Sequence, residues 1–273
     1  MFQKHIPADF LRDESRLQGT ADAIAFPQST DALAADLREA AQTGRPVTIQ
    51  GARTGISAGA VPDGGLVISL TRLDRILGSR TDASGCVFLT VQAGVPLAVL
   101  RRHLAGSAFG HPGHIFTPDP TETSASLGGM AACNASGACS FAYGATRGHI
   151  ERLTVALADG DTLTLRRGDC FAQGRRFSLV TDSGRVVAGE LPDYAMPNVK
   201  NAAGYWIRPD MDLLDLFIGS EGTLGVIAEL ELRLTPRPAR TLGVLAHFAA
   251  ESGALDFVAA LRQRRAAAAP HLL

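Results

Sequence analysis

The sequence predicts an α+β protein of two lobes, and three observations carry that prediction. Up to about residue 115 helical and β-branched segments alternate; from residue 150 the pattern changes to strands paired around a tight turn; and three loops of small residues each lie beside a strand. With 273 residues, 46% of them hydrophobic, the chain is long enough to bury a sizeable core.

The elements follow in order. "STDALAADLREAAQTG" (29–44) places Leu33, Leu37, Ala40 and Ala41 on one helical face, with Ser29 or Thr30 as N-cap and Gly44 as the stop. "PVTI" and "LVISL" read as strands on either side of a glycine loop, and "CVFLTVQAG" as a strand feeding a helix at "PLAVLRRHL". The stretch 116–148 reads as loop, short helix, loop. "IERLTVALADGDTLTL" is a hairpin turning at Asp159-Gly160-Asp161. "GRRFSLVTDSGRVVAGELPDYAMP" reads as an irregular insertion, "MDLLDLFIGSEG" as a short helix ending in a glycine turn, and "TLGVIAELELRLTP" as a long strand. "TLGVLAHFAAESGALDFVAALRQRR" reads as one strand and one helix.

A formal net charge of −1 gives no electrostatic reason to expect nucleic acid or an anionic membrane as partner. Cysteines 86, 133, 139 and 170 form neither a metal-binding pair nor a disulfide framework. "MFQKHIPADF" lacks the apolar core of a signal peptide, and no apolar run approaches the ~20 residues that span a bilayer. The expectation is a cytoplasmic protein with reduced thiols, reaching a membrane only through a partner.

The loops carry the chemistry. In "QGARTGISAG", Gly51, Gly55 and Gly59 permit positive φ and close approach of a ligand, and their N–H groups converge on an anion. The Lys-Ser or Lys-Thr pair of a nucleotide triphosphatase loop is absent, as is a G-x-G-x-x-G turn opening a helix. Taken alone the loop is equally a ligand-free turn between strands. "SLGGMAACNASG" on its own reads sooner as close helix packing allowed by small residues, and "GSEGTLGVI" on its own reads as a turn leading into a strand. Together the three point to an extended ligand lying along backbone. "HPGH" (His111, His114) has no carboxylate at ligand spacing, so no metal is expected there.

The ordered segments "PVTIQGARTGISAGAV", "TPDPTETSASLGGMAACNASGACSFAYG", "LTVALADG", "KNAAGYWI" and "LFIGSEGTLGVIAELELRLTP" resemble the FAD-binding PCMH-type domain of the vanillyl-alcohol oxidase superfamily. Within it the sequence is most similar to the glycolate oxidase subunit and D-lactate dehydrogenase branch of FAD-linked oxidases. The likeness runs from about Ala21 to Pro236.

That resemblance implies a 1–20 extension, an FAD-binding domain over 21–237 with lobes at about 21–115 and 116–237, and over 238–273 the first strand and helix of a substrate cap. It assigns Gly51, Arg53, Thr54, Gly55 and Ser57 to the FAD pyrophosphate. Pro118 and Asp119 are assigned to the flavin cleft, and Thr123, Ser126, Gly128, Gly129, Asn134 and Ser136 to the pyrophosphate, ribityl and isoalloxazine region. Tyr143 and Gly144 would close its far side, and Glu221, Gly222, Gly225, Val226 and Ile227 would hold the adenosine part. Position 53 often carries a small residue in the family, so Arg53 either reaches the diphosphate or points to solvent. The loops lack the histidine or suitably placed cysteine of covalent flavin attachment, which implies dissociable FAD.

Lys200 and Tyr205 are the weak catalytic candidates, Lys200 being either a charge near the flavin or a solvated surface group. The implied reaction is oxidation of a 2-hydroxy acid such as glycolate or D-lactate, with electrons passed on to an acceptor. The alternative is a flavin-binding subunit or fragment without turnover of its own, completed by a cap or a partner chain. A third reading is a reductase acting on a nucleotide sugar. The face of the last helix would be poorly covered, which implies a partner subunit or self-association through residues 241–265.

Overall fold

The computed structural model describes residues 2–106, 113–202 and 204–267. His111 lies outside them. The chain divides into two units, residues 1–236 and 237–273.

The first unit begins with strand β1 (Ala23–Ala25) and helix α1 (Thr30–Gln42). The Ser29 hydroxyl accepts from the Ala32 N–H at 3.1 Å, satisfying one orphan donor of the first turn, and Gly44 ends the helix at φ 62°. The helix buries Leu33, Ala34, Leu37 and Ala40; Ala41, expected on this face, is exposed and Ala34 takes its place.

Strands β2 (Val47–Gln50) and β3 (Leu66–Ser69) both pair in parallel, giving the order β1-β3-β2. Every residue of β3 is buried, as suits the middle strand of a parallel sheet. Because β2 and β3 are parallel, residues 51–65 form a crossover rather than a hairpin. They start at the carboxyl end of β2, where open α/β sheets place their ligands.

Strands β4 (Ile76–Thr81) and β5 (Val87–Gln92) follow, then helix α2 (Leu97–Ala105) and the short strand β6 (His114–Ile115). The central segment holds α3 (Leu127–Ala132) and α4 (Ser140–Tyr143). Strands β7 (Ile150–Ala156) and β8 (Thr162–Arg166) form the expected hairpin, with Gly160 at φ 77°.

The insertion expected to be irregular is a second hairpin, β9 (Arg176–Val180) with β10 (Val186–Glu190). Thr181 to Arg185 makes its turn, with Gly184 at φ 87°. Within the two strands only Leu179 is buried, so the alternation that marks a half-buried strand is weak.

Helix α5 (Leu214–Phe217) precedes β11 (Val226–Arg233), and β12 (Thr235–Pro236) pairs with β6. Strand β11 runs antiparallel between β5 and β7, giving a five-stranded sheet in the order β4-β5-β11-β7-β8. Thus β4 and β5, expected in the first lobe, hydrogen-bond in the larger sheet. The architecture is α+β with two main sheets, and one apolar core runs from β1 to Leu234.

In the second unit, residues 251–267 form helix α6, but "TLGVLAHF" is not a strand. A strand needs a hydrogen-bonding neighbour, and this unit supplies none among the described residues. Phe248 packs on Phe257 at 5.4 Å, while Leu255, Val258 and Leu261 are about half exposed or more.

Candidate functional site

The site is built where β2 ends. Gln50 is fully buried, and its Nε2 donates to the carbonyls of Phe10 (2.8 Å) and Ala60 (2.7 Å). One side chain thereby ties the two ends of the glycine loop to the N-terminal segment. Asp13 Oδ2 accepts from Ala60 N at 3.4 Å, and the Arg53 carbonyl accepts from Glu14 N at 3.3 Å. So held, Arg53 and Ala58 keep φ values of 60° and 62°, which side chains other than glycine rarely adopt. The Arg53 guanidinium lies 4.2 Å over the Phe10 ring.

The central segment meets this loop at Gly51, where a Cβ would lie 2.2 Å from Ser126 Oγ. Ser126 caps α3, its hydroxyl accepting from Gly129 N at 3.3 Å. Gly128 has a packing role, because a Cβ there would meet the Ala93 methyl at 2.5 Å. The third loop is pinned to the end of α3 by Gly219 N to Ala131 O (3.0 Å) and Glu221 N to Ala132 O (2.9 Å). Glu221 and Gly222 take φ values of 53° and 80°.

Between the three loops lies a cleft of about 470 Å³, within the ~300–1,000 Å³ usual for small-molecule sites. The structure brings to it Gly51, Arg53, Thr54, Gly55 and Ser57, then Ser126, Gly128, Gly129 and Ser136, and finally Glu221, Gly222, Gly225, Val226 and Ile227. Six expected residues are not among its lining. Pro118 is buried, Asp119 pairs with Arg101 at 2.5 Å, and Thr123 is exposed with its carbonyl accepting from Ala98 N. Asn134 accepts from Arg147 N at 2.9 Å, the Tyr143 carbonyl contacts His149, and Gly144 caps α4 at φ 82°. Lys200 is exposed, and the Tyr205 hydroxyl bonds Thr223 Oγ1 at 2.6 Å.

Sequence reasoning missed Asp13, Pro120, Thr121, Glu122 and Cys133 on the cleft wall. Residues 120–122 adjoin an assigned motif, whereas Asp13 sits in a segment with no motif to mark it. Burial, and secondarily Glu221, push the Cys133 thiol up from its ordinary value. Behind the wall, burial lowers the Arg147 pKa against the opposing pull of Asp215, and its Nη atoms donate to the carbonyls of Asp215 and Ile218. Buried His149 bonds Thr117 Oγ1 at 3.1 Å and the Tyr143 carbonyl at 3.0 Å through Nε2, and desolvation pushes its pKa down.

The wall fits a large anionic cofactor. A Cβ added at Gly55 or Gly222 would meet no protein atom within 4 Å, so backbone faces the open cleft at both positions. Arg53 Nη1 is buried without a hydrogen-bond partner. A cleft walled by backbone and small side chains at the carboxyl end of a parallel strand, with a cation buried beside it, defines the class: a dinucleotide-cofactor-binding domain.

Within that class, the chain belongs to the FAD binding domain family, which residues 21–166 match, and FAD is its cofactor. It is 34% identical over 243 residues to a D-lactate dehydrogenase of Anaerostipes hadrus, covering 88% of this chain and 42% of that protein. A D-lactate dehydrogenase of Archaeoglobus fulgidus is 33% identical, over 82% of this chain and 40% of its own length. The glycolate oxidase subunit GlcD of Bacillus subtilis is 28% identical, over 89% and 44%. The chain therefore spans about two fifths of these relatives. Among solved structures, an alkyldihydroxyacetonephosphate synthase shares the fold, with a TM-score of 0.58 at 19% identity over 82% of this chain and 36% of that one. Among the described residues no helix is long and apolar enough to cross a membrane.

Proposed function

We propose that the chain is the flavin domain of an FAD-linked dehydrogenase or oxidase acting on a 2-hydroxy acid such as glycolate or D-lactate. The observation that carries this reading is the glycine-walled cleft, in a sequence whose relatives include D-lactate dehydrogenases and a glycolate oxidase subunit. Bound FAD would supply a two-electron acceptor, its N5, for the hydride on the α-carbon of the hydroxy acid. Backbone N–H groups of the 51–59 loop would hold the diphosphate, and residues 221–227 the adenosine end. Attachment is non-covalent in this reading.

The test is the absorption spectrum of purified protein, before and after heat release and after anaerobic addition of glycolate or D-lactate. Flavin in the supernatant, with bleaching by one acid, is the expected result. A colourless protein that takes up no FAD overturns the reading.

A second reading, flavin binding without independent turnover, is favoured by the titratable side chains that line the cleft among the described residues, which are Asp13, Arg53, Glu122, Cys133 and Glu221, with no histidine or lysine to act as base. Flavin uptake with no bleaching by any 2-hydroxy acid would select it.

A further inference from the structure

Among the described residues that line the cleft, Arg53 is the only cation, and Asp13, Glu122 and Glu221 contribute carboxylates to the same lining. Its Nη1 is buried with no hydrogen-bond partner. A buried, unsatisfied guanidinium nitrogen is costly unless something anionic completes it. The residue is also held at φ 60°, a strained conformation that persists only where its surroundings over-determine it.

Those surroundings come from the N-terminal segment. The Phe10 ring lies under the guanidinium at 4.2 Å and packs edge-on against Phe26 at 5.2 Å, with Arg72 stacked beyond at 5.0 Å. The Phe10 carbonyl is gripped by Gln50, and Glu14 N bonds the Arg53 carbonyl. A guanidinium stacked on an aromatic face keeps its in-plane N–H donors free for a second, anionic partner.

We propose that Arg53, stacked on Phe10, is the counter-charge for the diphosphate of the cofactor, so that residues 8–14 are part of the cofactor site. This rests on the flavin-domain reading above and adds a cationic group to a diphosphate cradle otherwise made of neutral backbone donors. It predicts that affinity depends on charge, on salt and on the integrity of the N-terminal segment. Burial depresses the pKa of the guanidinium, and Asp9 opposes that depression; an arginine stays protonated at neutral pH regardless.

The test uses apoprotein of the full chain, titrated with FAD and with riboflavin, which lacks the diphosphate, by flavin fluorescence, from about 50 to 500 mM NaCl. Arg53→Gln should weaken FAD by about tenfold or more and flatten its salt dependence, while leaving riboflavin affinity unchanged. Arg53→Lys, which keeps the charge, should retain the salt dependence. Phe10→Leu should weaken FAD less than Arg53→Gln, again sparing riboflavin. Unchanged FAD affinity in Arg53→Gln, equal losses for FAD and riboflavin, or a Lys variant as salt-insensitive as the Gln variant overturns the proposal. Wild-type protein that binds no FAD overturns the flavin reading itself, a different failure.

Discussion

Gly51 and Ser126 approach so closely that a Cβ on the glycine would lie 2.2 Å from the serine hydroxyl. The glycine loop and the cap of α3 are thus fitted to each other. Gly51→Ala should push Ser126 off Gly129 N, costing about 1–2 kcal/mol of stability and lowering FAD affinity. Ser126→Gly removes the obstructing oxygen, so the double variant should cost less than the sum of the two. A double-mutant cycle by urea denaturation measures the coupling, and strict additivity would show the contact to be idle.

Gly55 and Gly128 should separate cofactor binding from folding. A Cβ at Gly55 meets no protein atom within 4 Å, so Gly55→Ala should change apoprotein stability by less than about 0.5 kcal/mol while FAD affinity falls. Gly128→Val runs into Ala93 at 2.5 Å, and the overpacking should destabilise the fold by about 1–3 kcal/mol. Melting curves with and without FAD distinguish them: one variant loses the FAD-induced shift, the other lowers both curves.

Arg147 closes the base of the third loop. Arg147→Ala strands the Asp215 and Ile218 carbonyls it serves and should cost about 2–4 kcal/mol, measured by denaturant unfolding. Arg147→Lys restores charge but not the two-pronged contact, so it should recover only part of that loss.

His149 gives a pH signature. Desolvation lowers its pKa below the ordinary 6.5, outweighing the bond to the Tyr143 carbonyl, and Arg233 lowers it further. The unfolded state therefore takes up the proton first. The contribution is complete above about 6.5 and is lost as pH falls from there toward the folded-state value, at ~1.4 kcal/mol per pH unit at most. His149→Gln should flatten the stability profile between pH 7 and 5 (about one proton's worth). An unaltered slope would place the titration elsewhere.

Cys133 offers a footprint of occupancy. Its thiol lines the cleft and its raised pKa leaves little thiolate at neutral pH, so alkylation should be slow, speed up with pH, and be blocked by FAD. Exposed Cys86 is the internal control. Equal labelling with and without FAD, read by mass spectrometry, would contradict this placement of the cofactor.

Much of the site was legible because backbone-lined loops announce themselves through glycine: 51, 55, 128, 129, 222 and 225 are residues whose identity encodes their geometry. Side chains that act across long separations left no such mark. Gln50 reaching Phe10, Arg147 reaching residues 215 and 218, and Asp13 entering the cleft wall depend on segments brought together only by the fold. The β9–β10 hairpin escaped because its strands are mostly exposed, and "TLGVLAHF" misled because strand-like composition forms no strand without a neighbour.

The position of β11 governs when this protein can fold during its own synthesis. The strand that sits between β5 and β7 is the last of the five to leave the ribosome, more than seventy residues after β7 begins. Until it emerges, two strand edges and the apolar faces beside them stay open on the nascent chain, and the third cofactor loop, which precedes β11 directly, has no fixed base. Translation must therefore hold a sticky, half-built sheet for several seconds at ordinary elongation rates of ~5–20 residues per second, an interval in which the cofactor cannot yet help.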